Sequence, residues 1–292
     1  DQAFLATRLR LFGEKSGIRG LLFHTVFLNS SELEKEEALP QQRLTISNYE
    51  EIFEYFLSNG YQFLAYSDLQ NTIEDKKNYV YVTFDDGYFN NVRIVPLIEK
   101  LNIPIHIFVT TRNLEENKKF WWDVVYENRT RQGWPLRRIK REINKLKTHR
   151  TAAIDEFILG EFGSKSYVPK SDLDRPFSPK ELAQLSKNRL VTVGSHTHTH
   201  AIATRITKEE FRTEILQSEK IFRASGIEEI KGFAFPNGEY SEDHFDILEE
   251  SGFWQGFSAE ERLFYVGEQF LAETKYRLGR FSLSATMGLE YQ

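Results

Sequence analysis

Short runs of apolar, β-branched and aromatic residues alternate along this chain with longer stretches in which apolar positions recur every three or four residues. That alternation is the signature of strands joined by amphipathic helices. Strands are expected at Gly20–Val26, Tyr61–Tyr66, Tyr79–Phe84, Ile103–Val109, Leu190–Gly194, Lys231–Phe235, Gly252–Phe257 and Tyr276–Phe281. The helix expected at Asn48–Ser58 puts Ile52, Phe53, Phe56 and Leu57 on one stripe and stops before Gly60. A second, Ser178–Lys187, opens on Ser178, with Pro179 at the first helical position and Glu181 three residues after the cap. A third, Thr207–Ser225, follows a capping threonine, carries Phe211, Ile215 and Phe222 on one face, and ends at Gly226.

Residues 112–175 break the pattern. They hold no strand and read as helices around Trp121–Thr130, Leu136–Lys147 and Thr151–Phe162. Such an insertion between two strands either shapes the rim of the fold, where it contacts substrate, or packs as an appendage. No repeat or low-complexity linker divides the chain, so residues 1–292 are expected to form a single domain. Strands with helical crossovers imply an α/β protein with a parallel sheet, either closed into a barrel or open and doubly wound. In both, ligands gather at the carboxyl ends of the strands.

Composition narrows the function classes. At 292 residues, 40% apolar and 28% charged, the chain is an ordinary globular sequence. Its 38 basic and 43 acidic side chains leave a net charge of −5, which gives nucleic-acid binding no support. No apolar run reaches the ~18 residues of a membrane helix, and Gly20–Leu28 is interrupted by His24. The absence of cysteine excludes disulfides and thiolate metal sites and selects no compartment. Because the chain starts at Asp1 and not at methionine, an upstream segment is expected to be missing.

Three polar clusters each follow a different expected strand. Thr83-Phe84-Asp85-Asp86-Gly87 sets two carboxylates side by side, which repel unless a cation or arginine compensates. Gly87 lets the chain turn sharply there. Gly194-Ser195-His196-Thr197-His198-Thr199-His200 concentrates three of the chain's 7 histidines, and neutral imidazole suits zinc and its neighbours in the transition series. All three imidazoles share a face in an extended chain, whereas a helical turn brings together only His196 and His200. Phe233-Ala234-Phe235-Pro236-Asn237-Gly238 forces a tight turn that can present the Asn237 backbone N–H as an oxyanion donor.

The combination resembles the NodB-like polysaccharide deacetylases, carbohydrate esterase family 4. Thr83–Gly87 matches the family's TFDDG motif, His196–His200 its H-[S/T]-x-x-H motif, and Phe233–Gly238 the FAYPxG variant of its third motif. Leu22-Phe23-His24-Thr25-Val26 is similar to the early YHxV strand, and Pro104–Val109 to the strand after the first motif. The likeness runs from about Gly20 to Phe281, with 112–175 as the poorly matched insertion.

The resemblance implies a distorted (β/α) barrel of seven or eight strands. It implies Asp86, His196 and His200 as ligands of a divalent metal, Zn2+ first and Co2+ or Ni2+ as alternatives. Asp85 is then the general base, with the Asn237 N–H holding the developing oxyanion. The implied substrate is a carbohydrate, from which N-acetyl groups of amino sugars are removed. An O-acetyl esterase, a deformylase, and a catalytically weakened carbohydrate-binding protein are the competing readings.

Two departures from the family pattern stand out. Many members carry an arginine in the third motif that pairs with the base, but Ala234 occupies that position here. Arg280 is the candidate replacement; Arg277, three residues away, points to the opposite face of an extended strand. Many members also have a late histidine as general acid, and no histidine follows His244. His24 either takes that role or binds substrate. His198 is expected to lie outside the ligand set, His106 in the core, and His149 and His244 on the surface. Trp121 and Trp122 offer flat faces for a sugar ring, or pack as core.

Overall fold

A computed structural model describes residues 17–70, 77–264 and 275–285. Its strands are β1 (Gly17–Phe23), β2 (Gln62–Phe63), β3 (Asn78–Phe84), β4 (Ile105–Val109), β5 (Val191–Ser195), β6 (Gly232–Ala234), β7 (Gln255–Phe257) and β8 (Arg280–Ser282). They form one sheet in the order β7-β6-β5-β4-β3-β1-β8, with short β2 beside the lower half of β3. Among the described residues every pairing between these strands is parallel.

The last strand brings the two ends of the sheet together. Leu278 makes a parallel bridge to Phe257 of β7. Two residues on, Arg280 begins the pairing with β1, opposite Gly20. The sheet is therefore a nearly closed barrel, which answers the choice that the apolar pattern left open.

Alternation along the strands sorts the core into layers, because side chains leave successive strand positions on opposite faces. On β3, Val80, Val82 and Phe84 pack with the surrounding helices, while Tyr79 and Tyr81 fill the barrel with Phe108, Phe257 and Leu278. Both faces are buried, as a parallel sheet covered by helices requires. Each large apolar side chain removed from water there contributes about 1.5–3 kcal/mol.

Several helices start at capping residues. Helix α1 (Ile46–Ser58) follows Thr45, and its Ile52, Phe53 and Phe56 are buried. Helices α2 (Val95–Leu101) and α3 (Thr111–Glu116) flank β4. The insertion consists of α4 (Trp121–Arg131), α5 (Leu136–Leu146) and α6 (Thr151–Phe162). These close around a core of their own that includes Val124, Ile139, Ile143 and Ile158. Helix α7 (Pro179–Leu185) has the Ser178/Glu181 capping box, and α8 (Lys208–Ala224) has the equivalent pair Thr207/Glu210. Helix α9 (Phe245–Glu250) precedes β7.

The insertion is fastened by a buried charge cluster. Lys119, fully buried, donates to Glu127 at 2.8 Å and to Asp174 at 2.7 Å, joining the start of α4 to the chain returning towards α7. Both carboxylates are needed, because an ammonium buried without partners costs several kcal/mol.

Candidate active site

Since the described strands run parallel, their carboxyl ends open on one side, and four turns there converge. His24 follows β1, Asp85 and Asp86 follow β3, His196–His200 continues from the end of β5, and Pro236-Asn237-Gly238 follows β6. His24, Asp85, Asp86, His196, His200 and Asn237 all line one cavity of about 180 Å³. Leu22, Leu39, Trp122 and Ile143 supply its apolar wall.

The turns carry backbone strain where the functional side chains sit. Asp86 (φ 74°), Thr197 (φ 65°), His200 (φ 58°) and Asn237 (φ 59°) are all left-handed without being glycine. Each such residue costs about 1–3 kcal/mol and persists only where its surroundings over-determine it. Here they do. The Asp86 carbonyl accepts from Thr110 N at 3.1 Å, and Thr197 Oγ1 accepts from Ala201 N at 3.1 Å. The Glu214 carboxylate, on α8, accepts from the backbone of His198 at 2.9 Å and of Thr199 at 2.7 Å.

Gly87 is required twice over. Its φ is +86°, and a Cβ added there would lie 2.7 Å from Val109 Cγ1. Gly87→Ala is expected to lower stability by about 1–3 kcal/mol, the scale of overpacking, with the left-handed φ adding to it. Thermal unfolding checks this; an unchanged midpoint would show that the Asp85–Gly87 turn tolerates a side chain.

The carboxylates and imidazoles form a compact donor set. One ligand atom each from Asp86, His196 and His200 lies within 4.8 Å of the other two. Asp86 Oδ1 is 3.6 Å from His196 Nε2 and 3.5 Å from His200 Nε2. His196 Nδ1 donates to the Ala234 carbonyl at 2.8 Å, which leaves the Nε2 lone pair facing the cavity. Burial lowers the affinity of both imidazoles for protons, in His200 to a pKa of about 3, so each is neutral at physiological pH. Two neutral imidazoles and a carboxylate, one imidazole oriented by a backbone acceptor, are the donor chemistry of a three-ligand metal site with room for exogenous groups. The residues present fit a divalent transition metal.

The neighbouring aspartates differ in environment. Asp85 is gripped by Arg280: Nη1 donates to Oδ1 at 2.6 Å and Nη2 to Oδ2 at 2.8 Å. Burial pushes the Asp85 carboxyl up, but Arg280 and His196 outweigh it and hold it below the usual carboxylate range. Asp86 has no such clamp, and burial raises it despite the nearby imidazoles of His24 and His196. Two adjacent carboxylates pushed in opposite directions are suited to different jobs.

Arg280 reaches Asp85 because both lie on inward positions of their strands. Asp85 continues the face of Tyr79, Tyr81 and Thr83, and Arg280 continues that of Leu278. Its Nε also donates to the Ser258 carbonyl at 2.8 Å and its Nη1 to Thr83 Oγ1 at 3.1 Å. Arg277 faces outward and pairs with the exposed Glu242 at 3.3 Å.

Comparison with known proteins agrees with this picture. A family model described as polysaccharide deacetylase matches residues 72–255, well over half of the chain. The chain belongs to the polysaccharide deacetylase family. No curated protein matches the sequence significantly. Among solved structures, IcaB from Ammonifex degensii is similar in fold, with a TM-score of 0.60 at 17% identity over 93% of each chain. The Streptococcus pyogenes deacetylase PplD in complex with acetate has a TM-score of 0.59 at 17% identity, over 93% of this chain and 94% of that one. A de-N-acetylase from Aggregatibacter actinomycetemcomitans has a TM-score of 0.61 at 14% identity, over 93% of this chain and 97% of that one.

In this member of the family the remaining sequence candidates divide. Trp122 lines the cavity, its ring centroid 4.7 Å from that of His200. Its Nε1 donates to Tyr88 Oη at 2.7 Å, and Tyr88 in turn donates to the buried Asp123 at 2.7 Å. Trp121 packs in the core of the insertion instead. His198 lies outside the donor set and its Nδ1 contacts Thr111 Oγ1 at 3.0 Å. His106 is buried in the barrel near Tyr66 and Phe257. His149 is exposed, but the expectation of a surface His244 fails. His244 is 5% exposed and packs edge-on against Phe211, since the turn ending in it folds onto α8.

Sequence reasoning also missed two members of the site. Glu214 sits among the other polar residues of α8, and only the fold shows it holding the histidine turn. Lys147 follows the last turn of α5, where basic residues are common on solvated faces, yet it lines the cavity.

Proposed function

We propose that this chain is a metal-dependent hydrolase removing N-acetyl groups from amino sugars of a polysaccharide or glycan. The observation that carries the reading is the convergence of Asp86, His196 and His200 beside an aspartate fixed by a buried arginine. We read residues 1–292 as a single NodB-like domain, with the helical insertion of about 112–175 forming one wall of its site. Asp86, His196 and His200 would hold the ion, with Zn2+ the first candidate and Co2+ or Ni2+ compatible with the same donors. Bound there, a divalent ion supplies Lewis acidity to the acyl carbonyl and to the attacking water.

The protein's own groups divide the remaining work. Asp85, kept ionised and in one plane by Arg280, takes a proton from the attacking water. The Asn237 backbone N–H donates to the carbonyl oxygen as charge develops on it. Gln42 holds the His24 ring through Nδ1, with its Nε2 at 2.9 Å and its Oε1 at 3.3 Å, which leaves His24 Nε2 for the cavity. His24 therefore serves as a hydrogen-bonding partner for substrate. Trp122 offers an aromatic wall for the apolar parts of the acyl group and sugar. An amide leaving group needs a proton far more than an ester one does. The cavity wall adds Lys147, a further proton-bearing group, which favours the N-acetyl reading.

The test is acetate and formate release from N-acetylated oligosaccharides, O-acetylated xylan and N-formylated sugars, each with and without chelator. Turnover on the N-acetyl substrate should fall at least about 10²-fold on chelation and return with added Zn2+. Preferred release from the ester or formyl substrate replaces the substrate assignment. Turnover insensitive to chelation, or glycan binding without turnover, overturns the hydrolytic reading.

A further inference from the structure

We propose that Lys147, brought to the cavity by helix α5 of the insertion, is the proton donor to the departing amine; this rests on the deacetylase reading above. Lys147 lies on the wall shared by Asp86, His200 and Trp122. Its Nζ donates to Asn237 Oδ1 at 3.0 Å, and among the described residues that is its only hydrogen bond. The ammonium is thus anchored by a neutral amide, with two further N–H groups left for a ligand. Lys119 shows the contrast: it is held between two carboxylates, an arrangement that keeps its proton in place.

The charges around Lys147 suit a group that must give up a proton. Asp86 at the end of β3, Glu239 after β6 and His200 after β5 are the titratable groups that act on it. Glu239 is already engaged by Arg205 at 3.1 Å, Thr204 Oγ1 at 2.9 Å and Asn237 Nδ2 at 2.6 Å. Burial lowers the Lys147 ammonium from the ordinary lysine value, and Asp86 and Glu239 only partly oppose it. A lysine moved towards neutrality is a better acid than one in free solution. In the step itself the carbon–nitrogen bond breaks and its electron pair stays on nitrogen. That nitrogen takes a proton from Lys147 Nζ, leaving a neutral lysine that recovers its proton from water. The acyl carbon departs as acetate, carrying the oxygen of the attacking water.

The experiment compares wild type, Lys147→Met and Lys147→Arg on an N-acetylated chitooligosaccharide and on 4-nitrophenyl acetate, whose phenolate leaves without a proton. Lys147→Met should lose about 10²-fold or more on the amide, and less than about tenfold on the ester, since its leaving group bypasses the acid. Lys147→Arg should fail to rescue the amide, because a guanidinium does not release its proton. Equal losses on both substrates, or rescue by arginine, would mean that only the positive charge matters and would overturn the proposal. A metal-loaded wild type inactive on both substrates sinks the underlying deacetylase reading instead. Independently of turnover, competitive labelling of lysines with acetic anhydride across pH, read by peptide mass, should find Lys147 reactive at lower pH than the exposed Lys187. Parallel labelling of the two lysines counts against the assignment.

Discussion

His200→Ala is expected to abolish metal binding and, with it, turnover, whereas Asp85→Asn should keep the metal and lose about 10²-fold or more in kcat, the scale for removing a general base. The asymmetry follows from position. His200 supplies one of three protein donors in a cluster whose atoms lie within 4.8 Å, so its loss leaves too few to hold the ion. His196→Ala removes a donor and also leaves the Ala234 carbonyl without its imidazole partner. Asp85 instead spends both oxygens on Arg280, which disfavours it as a ligand and fixes its plane for the proposed role of base. Asparagine there keeps the volume and one acceptor but cannot take a proton. Elemental analysis after gel filtration, with steady-state kinetics on the same samples, decides the matter. If Asp85→Asn loses metal as fully as His200→Ala, the division between the two aspartates is wrong.

Arg280→Lys is expected to keep the fold and the metal while losing most of kcat, about 10²-fold or more, because Asp85 loses its orientation. The 1% exposed guanidinium makes four hydrogen bonds from three nitrogens: two to Asp85, one to Thr83 and one to the Ser258 carbonyl. A lysine has one nitrogen and cannot span both carboxylate oxygens in plane while reaching Ser258. Unmet acceptors in this buried place should also lower stability by about 1–3 kcal/mol. Arg280→Met is harsher, since it strands a buried carboxylate, and should cost about 3–5 kcal/mol. Arg277→Lys, on the outer face, should stay within about 0.5 kcal/mol of wild type.

The pH dependence of the Arg280 effect has a definite sign. The folded carboxyl of Asp85 is held below the unfolded value of about 3.9, so the pair's contribution is fully present above that pH. It is lost as the pH falls below it towards the folded value. In Arg280→Met burial acts on Asp85 without the guanidinium and raises its carboxyl, so the stability gap to wild type should be largest where that carboxyl is still ionised and should narrow steadily as the pH falls from the raised value towards the wild-type one. Near-normal turnover in Arg280→Lys would show that Asp85 is oriented by something else.

Much of this was legible along the chain, for local reasons. Short apolar, β-branched and aromatic runs marked the strands, and the capping pairs Ser178/Glu181 and Thr207/Glu210 marked helix starts, because both depend on neighbours in sequence. The Asp85-Asp86 and His196–His200 clusters stood out because each packs its chemistry into a few residues at one strand end. Tertiary structure decided what depends on distant partners. Arg280 and Asp85 are 195 residues apart, and only barrel closure through Leu278 and β8 puts their inward faces together. The same holds for Glu214 under the histidine turn, for His244 against α8, and for Lys147, 90 residues from the Asn237 that anchors it. A lone lysine or arginine looks the same in sequence whether it faces solvent or a cavity; only the packing of the elements that carry it sets which.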